Sequence, residues 1–217
     1  MICMEFPFRA MATRPPPVAK RARAGRPPTL AAPRERILAE AAKLFARSGY
    51  ENSSVADLAA AIGVSKAGIY HYFTTKQDIY DAIVLEVLGG LIKAVSQAVD
   101  EAGSAPDRLR GFMLAHARYF DQHNAEFVTM LIGYSGMALT EREDAAKLRD
   151  AYEKLLRSIL EQGVAQGAFR QIDVAMSGRA VLSMLNWMVR WYKHGQKESA
   201  ETIVAGYFDL LWGGLRA

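Results

Sequence analysis

Basic, hydroxyl-bearing and aromatic side chains are concentrated between residues 65 and 76 of the chain. Ammonium and hydroxyl groups bind phosphate oxygens and base edges, so a run of this kind suits contact with DNA. The small residues Ala67 and Gly68 would let the start of a helix approach bases and phosphates closely. The predicted DNA-contacting residues are Ser54, Ser65, Lys66, Ala67, Gly68, Tyr70, His71, Tyr72, Thr75 and Lys76.

Two short helices joined by a tight turn would present these side chains. Ser54, followed by Asp57 three residues later, predicts a capping box at the start of the first helix. Gly63 supplies the left-handed residue that ends this helix, and Ser65 caps the next one at once. Such a joint predicts a helix-turn-helix, whose second helix enters the major groove of DNA. The alternative is an ordinary surface helix in an all-helical core.

A helix before the motif and a longer one after it complete the predicted head. Residues 33–48 place Ile37, Ala41 and Phe45 on one apolar face, and Gly49 ends the pattern. The helix that begins near Lys76 keeps its apolar spacing far enough to leave the head and enter a second domain. We therefore expect a helix-turn-helix domain over residues 33–80 and a second domain over residues 81–217.

The order of these residues over 34–82 resembles the DNA-binding domain of the TetR/AcrR family of bacterial repressors. The matching pieces are Arg36-Ile37-Leu38, Ala41-Ala42, Leu44-Phe45, Gly49-Tyr50, Ser54 to Ala59, Gly63-Val64-Ser65, and Ile69 to Phe73 with Lys76. The resemblance implies that Lys66, Ala67 and Gly68 approach bases, that Tyr70 and Tyr72 reach phosphates, that His71 does either, and that Lys76 holds the DNA backbone. Gly68 departs from the family pattern, which commonly has Ser or Thr there, so base recognition at this position is open.

The remainder of the chain shows helical patterns and no strand alternation. Helices are predicted over residues 109–123, 125–137, 140–166, 173–192 and 199–215, the third capped by Thr140 with Glu143. The predicted fold is all-α, a three-helix helix-turn-helix head plus a C-terminal helical domain, with about nine helices. The last two helices carry broad apolar surfaces. The resemblance implies that they pair with their copies in a homodimer, and the alternative is that they close the core of the monomer.

Residues 186–192, with Gly195 and residues 199–201, resemble the C-terminal signature of one branch of the family. That branch represses fatty-acid, aromatic-acid and steroid catabolism and responds to acyl-CoA thioesters, so residues 81–217 would bind a small hydrophobic effector that releases a palindromic operator. Acyl chains need apolar walls, and CoA phosphates need arginines. The candidate ligand-binding residues are Phe112, His116, Phe120, Phe127, Met130, Leu131, Tyr134, Met184, Trp187 and Arg190. Arg190 would bind phosphate or belong to the dimer interface.

Residues 1–32 are predicted to form a flexible basic arm. Residues 1–33 have a net charge of +5 and residues 34–217 a net charge of −1, which together give the +4 of the whole chain. The prolines and the lack of periodicity argue against a helix. Arg23 and Arg26 would enter a minor groove, as the arms of homeodomains do. The alternative is a solvated leader or a misassigned start.

Composition restricts the remaining classes of function. The single cysteine, Cys3, leaves no disulfide framework or cysteine-based zinc site, and no run of eighteen apolar residues is present. We expect a cytoplasmic protein without a cofactor whose partners are double-stranded operator DNA and a small-molecule effector, not a membrane.

An enzyme is disfavoured, because residues 133–137 lack the last glycine of a nucleophile elbow, and His116 and His123 lack metal-ligand spacing. Two alternatives are kept, a regulator of drug efflux that binds aromatic or cationic compounds, and a helical hydrolase.

Overall fold

The computed structural model describes residues 33–100, 103–133 and 143–216, and this part of the chain is built from helices without a strand. The helices are α1 (Pro33–Ser48), α2 (Val55–Ile62), α3 (Lys66–Tyr70), α4 (Lys76–Asp100), α5 (Ala105–Gln122), α6 (Asn124–Gly133), α7 (Glu143–Ala165), α8 (Val174–Trp187), a short 3₁₀ helix (Met188–Arg190) and α9 (Ala200–Leu215). The all-α class and the nine α-helices are confirmed for these ranges.

Some predicted boundaries and residues differ from the structure. α5 begins at Ala105, earlier than expected, because Ser104 caps it and Pro106 occupies the first turn, where a missing N–H costs nothing. α8 is α-helical only to Trp187, so the predicted end at Tyr192 is wrong, and the tighter 3₁₀ helix follows. The arm with Arg23 and Arg26, the cap at Thr140, and Tyr134 lie outside the described residues.

The head contains α1, α2 and α3, and its caps follow the sequence pattern. Asp57 N donates to Ser54 Oγ at 3.1 Å, and Ser54 N donates to Asp57 Oδ2 at 2.9 Å, which is a complete capping box. Gly63 has a φ of 78°, the left-handed region in which a Cβ is strained. Because α3 has only five residues, it depends on tertiary packing, which Ile69 supplies from full burial beneath it.

The long helix α4 connects the head with the rest of the fold. Its buried stripe includes Ile79, Ile83, Val87, Leu91 and Val95, and it packs against α1, α5, α6 and α7. Within the described ranges α4 is long and apolar enough to cross a membrane by length and composition alone, although Glu86 and Lys93 interrupt it, so it contains no run of eighteen apolar residues. Its packing is that of a core helix in a helical bundle.

The turn between α7 and α8 depends on a close contact between Gly163 and Phe169. A Cβ on Gly163 would lie 2.1 Å from Cδ2 of Phe169, whose ring is buried against α7. Gly167, in the turn itself, has a φ of 71°. The absence of a side chain at Gly163 therefore allows the ring to close the hairpin.

Replacement of Gly163 by alanine is expected to destabilise the protein by about 1–3 kcal/mol, because the new methyl group forces the Phe169 ring out of place. Chemical denaturation measures this change. Gly89→Ala in α4 is the matched control, because no atom outside the neighbouring backbone of α4 lies within 4 Å of a Cβ there. The control should be neutral or stabilising by up to about 1 kcal/mol. Similar losses in both variants would contradict the close-contact explanation.

Candidate DNA-binding and effector sites

The outer surface of the head carries the predicted DNA-contacting residues. Tyr70 and Tyr72 are 50% and 42% exposed, and the rings of His71 and Tyr72 meet edge to face with centroids 5.0 Å apart. Gly68 is half-buried. The exposed members of the predicted set are Ser54, Ser65, Lys66, Ala67, Tyr70, His71, Tyr72 and Thr75. The structure therefore brings cationic, hydroxyl and aromatic groups together on and beside α3.

Hydroxyl groups on this surface also hold the helix ends. Ser54 Oγ donates to Asp57 Oδ2 at 2.6 Å, and Ser65 Oγ accepts from Gly68 N at 3.1 Å. Thr75 has a similar role at the start of α4, where Asp78 N donates to its Oγ1 at 3.1 Å and its own N–H donates to Asp78 Oδ2 at 2.9 Å. These bonds orient the first turns of α2, α3 and α4, whose free N–H groups attract phosphates.

Lys76 is held inside the head. Its Nζ donates to the carbonyl oxygens of Tyr50 at 2.8 Å and Ser53 at 3.0 Å, and lies 3.9 Å from the centroid of the Tyr50 ring. Two of the three ammonium N–H groups are therefore bonded to the loop between α1 and α2. This differs from the expected role of holding the DNA backbone, because the ammonium group faces protein carbonyls 23 and 26 residues away in the chain.

A cavity of about 270 Å³ lies between α4, α6, α7 and α8. Its walls are mostly aliphatic and aromatic, and its polar groups come from α7 and α8. The lining residues are Val84, Leu88, Leu91, Phe127, Met130, Leu131, Ala145, Arg149, Tyr152, Glu153, Leu182 and Asn186. An apolar cavity with a few polar groups is typical of small-molecule sites.

A groove of about 570 Å³ adjoins the cavity along α8. The groove shares Leu131, Glu153, Leu182 and Asn186 with the cavity, and its further lining residues are Arg179, Ser183, Trp187, Val189 and Arg190. Trp187 is 64% exposed, and the Arg190 guanidinium carbon lies 5.9 Å from the centroid of its ring. Glu153 pairs with Arg157, so its charge is compensated within α7. The remaining charged groups of the groove are cationic.

The predicted ligand-binding residues divide into three groups. Phe127, Met130 and Leu131 line the cavity, and Trp187 and Arg190 line the groove. The other predicted residues among those described line neither space, and these are Phe112, His116, Phe120 and Met184. The aromatic residues of α5 form a second layer instead, because α5 lies behind the wall: the Phe112 ring stacks on Tyr152 and the Phe120 ring meets Phe127 edge to face.

Several lining residues were missed by the sequence analysis. Leu88 and Leu91 have the apolar spacing of a helix, which does not distinguish a cavity wall from a packed core. Arg149 and Glu153 share a face of α7, because residues four apart in a helix lie one above the other. The sequence did contain a signal for this part of the wall. Arg149 and Glu153 are charged and lie beside Tyr152 in a helix that otherwise carries a buried apolar stripe.

Behind the wall, His116 and Tyr152 form a buried pair. Their Nδ1 and Oη atoms are 2.6 Å apart. Burial lowers the pKa of the His116 imidazole to about 3, so the ring is neutral at physiological pH. Burial also raises the pKa of the Tyr152 hydroxyl well above its usual value, so the phenol keeps its proton.

Comparisons with known proteins agree with this architecture. Residues 37–83 match the family of bacterial regulatory proteins of the tetR type, and residues 102–215 match the tetracyclin repressor-like C-terminal domain. The crystal structure of the TetR family regulator PfmR from Thermus thermophilus is 49% identical with a TM-score of 0.78, over 84% of this chain and 100% of that one. This chain belongs to the TetR family of transcriptional regulators.

Two further similar proteins are informative. The transcriptional repressor KstR2 of Mycolicibacterium smegmatis is 28% identical over 184 residues, which cover 84% of this chain and 90% of that protein. The crystal structure of AibR with isovaleryl coenzyme A and operator DNA is 25% identical with a TM-score of 0.75, over 83% of this chain and 98% of that one.

As a member of this family, the chain is a ligand-responsive transcriptional repressor that binds operator DNA, dimerises and binds a small-molecule effector.

Proposed function

We propose that the effector is an acyl-CoA thioester, with its acyl chain in the cavity and its CoA moiety in the groove. The observation that carries this proposal is that the two spaces adjoin: an apolar cavity and a cationic groove share four wall residues. The structure of AibR with isovaleryl coenzyme A supports it, because that ligand combines the same two parts.

The groove has suitable chemistry for the nucleotide end of CoA. Arg179 and Arg190 project from α8 and its 3₁₀ extension, and guanidinium groups bind phosphates with two parallel hydrogen bonds. The exposed indole ring of Trp187 offers a face on which an adenine can stack. Arg149 adds a third guanidinium group at the wall of the cavity. Together these groups favour an anionic ligand with an aromatic base.

The same groups disfavour the alternative of a drug-efflux regulator that senses cationic compounds. A cation would need an uncompensated carboxylate on the wall, and Glu153, the one acidic residue that lines either described space, is paired with Arg157. For the hydrolase alternative, His116 is buried and neutral, and the described residues contain no cluster of metal ligands. We propose a cytoplasmic binding protein without catalytic activity, in keeping with its regulatory relatives.

Two helices of the cavity wall also touch the head, which suggests how the effector acts. α4 begins in the head and supplies Leu88 and Leu91 to the wall. α6 supplies three wall residues and packs across α1, where Thr129 Oγ1 donates to the carbonyl oxygen of Ala42 at 2.9 Å in a buried contact. We propose that the ligand binds more tightly to the conformation in which the two heads of the dimer do not match the operator half-sites. The difference between its affinities for the two conformations then sets how far operator binding is weakened.

The proposed homodimer uses α8 and α9. Leu210 on α9 is 73% exposed, and this apolar side chain would become buried if the copy of α9 in a partner covered it. Two-fold pairing of these helices would present two heads to the half-sites of a palindromic operator. We propose that residues 33–80 form the DNA-binding domain and residues 81–217 the effector-binding and dimerisation domain. Helix α4 crosses the boundary between them.

The effector is tested by direct binding to the full-length protein, with tryptophan fluorescence as the signal, because Trp187 lines the groove. We expect medium-chain, long-chain or cyclic acyl-CoAs to bind at least about tenfold more tightly than CoA or the free acid alone, because only the thioester uses both spaces. Tighter binding of a cationic dye than of every acyl-CoA would favour the drug sensor and contradict the proposal.

A further inference from the structure

Asn186 on α8 carries a half-buried amide that lines both the cavity and the groove. Its side chain makes no hydrogen bond with residues 33–100, 103–133 or 143–216. Both amide atoms are accessible to solvent, in contrast to Nδ2 of Asn124, which is buried without a partner. An asparagine near a helix end commonly bonds to the local backbone, and its helix propensity is low. Asn186 makes no such bond, so its amide is available to a ligand.

The neighbours of Asn186 on the helix surface show which way its amide faces. Leu182 and Ser183 lie four and three residues before it in α8. Val189 and Arg190 lie three and four residues after it, in the 3₁₀ helix. Residues at these spacings share a face, and all four neighbours line the groove. The asparagine side chain is too short to reach past them, so its accessible donor and acceptor face the groove and the adjoining cavity.

Asn186 supplies the one side-chain hydrogen-bond donor among the four described residues that the cavity and the groove share. Leu131 and Leu182 present hydrocarbon at this junction. The Glu153 carboxylate only accepts hydrogen bonds, and it is paired with Arg157. An acyl-CoA with its chain in the cavity and its nucleotide in the groove has its thioester at the junction. The thioester carbonyl oxygen loses bonds to water there and needs a donor.

We propose that Asn186 Nδ2 donates a hydrogen bond to the thioester carbonyl oxygen of the effector. The inference rests on the proposed acyl-CoA effector. Rotation of the amide by half a turn exchanges its oxygen and nitrogen, so the donor can be directed at the ligand. Asn186 then distinguishes a thioester from an equally long ligand without a carbonyl group, and it fixes the point along the ligand at which the acyl chain enters the cavity.

A comparison of thioesters with thioethers tests this assignment. The ligands are octanoyl-CoA and palmitoyl-CoA, each beside the S-alkyl-CoA thioether of the same chain length, which lacks the carbonyl oxygen. Calorimetry measures their affinities for the full-length wild type and for Asn186→Leu, whose side chain is similar in size and has no hydrogen-bonding group. We expect Asn186→Leu to weaken thioester binding about 5- to 10-fold, the equivalent of one neutral hydrogen bond, and thioether binding less than about twofold.

Ser183→Ala is the matched control, because it removes a hydroxyl from the same face of α8 at a position that lines the groove but not the cavity. It should leave the preference for the thioester over the thioether unchanged. If Asn186→Leu weakens both kinds of ligand equally, or weakens neither, the hydrogen bond is absent although the acyl-CoA effector stands. If the wild type binds none of the four ligands, the effector proposal fails and the role of Asn186 fails with it.

Operator binding without effector shows whether Asn186→Leu is folded. Should operator binding be lost, Asn186→Ala takes its place, because alanine removes the same amide and favours the helix. The thioester preference of Asn186→Ala should fall as described for leucine, and an unchanged preference overturns the proposal.

Discussion

Leu131→Trp is expected to raise the acyl-CoA concentration needed for operator release by at least about tenfold, which corresponds to about 1.4 kcal/mol of binding free energy. Leu131 lies on α6 at the junction of the cavity and the groove and contributes to both walls. An indole there would fill the space in which the proposed ligand crosses from the cavity to the groove. Leu131 faces the cavity and the groove, so we expect operator affinity without effector to change by less than about twofold.

Ile132→Trp is the matched control, because the same substitution falls on the next residue of α6, whose side chain is 36% exposed and lines neither described space. It should respond to acyl-CoA as the wild type does. Fluorescence anisotropy of labelled operator, titrated with effector, measures both variants. If Leu131→Trp keeps normal sensitivity while the operator affinities agree, the effector does not bind across the junction of the cavity and the groove.

Lys76→Met is expected to weaken binding to operator and to random DNA by similar factors and to destabilise the protein by about 2–4 kcal/mol. The ammonium group makes two hydrogen bonds to carbonyls. Bonds to charged groups contribute about 1.5–3 kcal/mol each, and we take a smaller sum because Lys76 is only half-buried. Its contact with the Tyr50 ring adds to this. Methionine fills the space without replacing these bonds, so the loop between α1 and α2 loses its two hydrogen bonds to the first residue of α4.

Salt dependence distinguishes this structural role from a phosphate contact. Loss of one phosphate contact reduces the slope of log affinity against log salt by about 0.9 in magnitude, whereas loss of a bond within the head leaves the slope unchanged. We expect an unchanged slope and a lowered midpoint of unfolding for Lys76→Met, with partial recovery in Lys76→Arg. A reduced slope with full stability would show that Lys76 binds the DNA backbone.

The head could be predicted from sequence because its determinants are local. Ser54 and Asp57 are three residues apart, and the glycine at 63 and the serine at 65 follow directly, so each cap depends on neighbours in the chain. The hydrogen bonds of Lys76 could not be predicted in this way. Its partners lie 23 and 26 residues away, and no spacing within α4 indicates them.

The effector site was only partly predictable, because packing decides whether an apolar side chain meets a neighbour or a void. Phe112 and Phe120 have the composition of wall residues, yet α5 places them in the layer behind. Leu88 has the spacing of a core residue, yet it lines the cavity. Both sets satisfy the same helical periodicity, so sequence patterns cannot separate them.

The most direct test measures the affinity of the full-length homodimer for its operator, isolated by selection of bound DNA fragments, with and without a saturating acyl-CoA. Allosteric coupling free energies are typically 1–3 kcal/mol, so we expect operator affinity to fall by a factor of about 5–150. The operator should weaken acyl-CoA binding by the same factor, because the coupling is reciprocal. An unchanged operator affinity at concentrations where the tryptophan signal shows bound acyl-CoA would contradict the account.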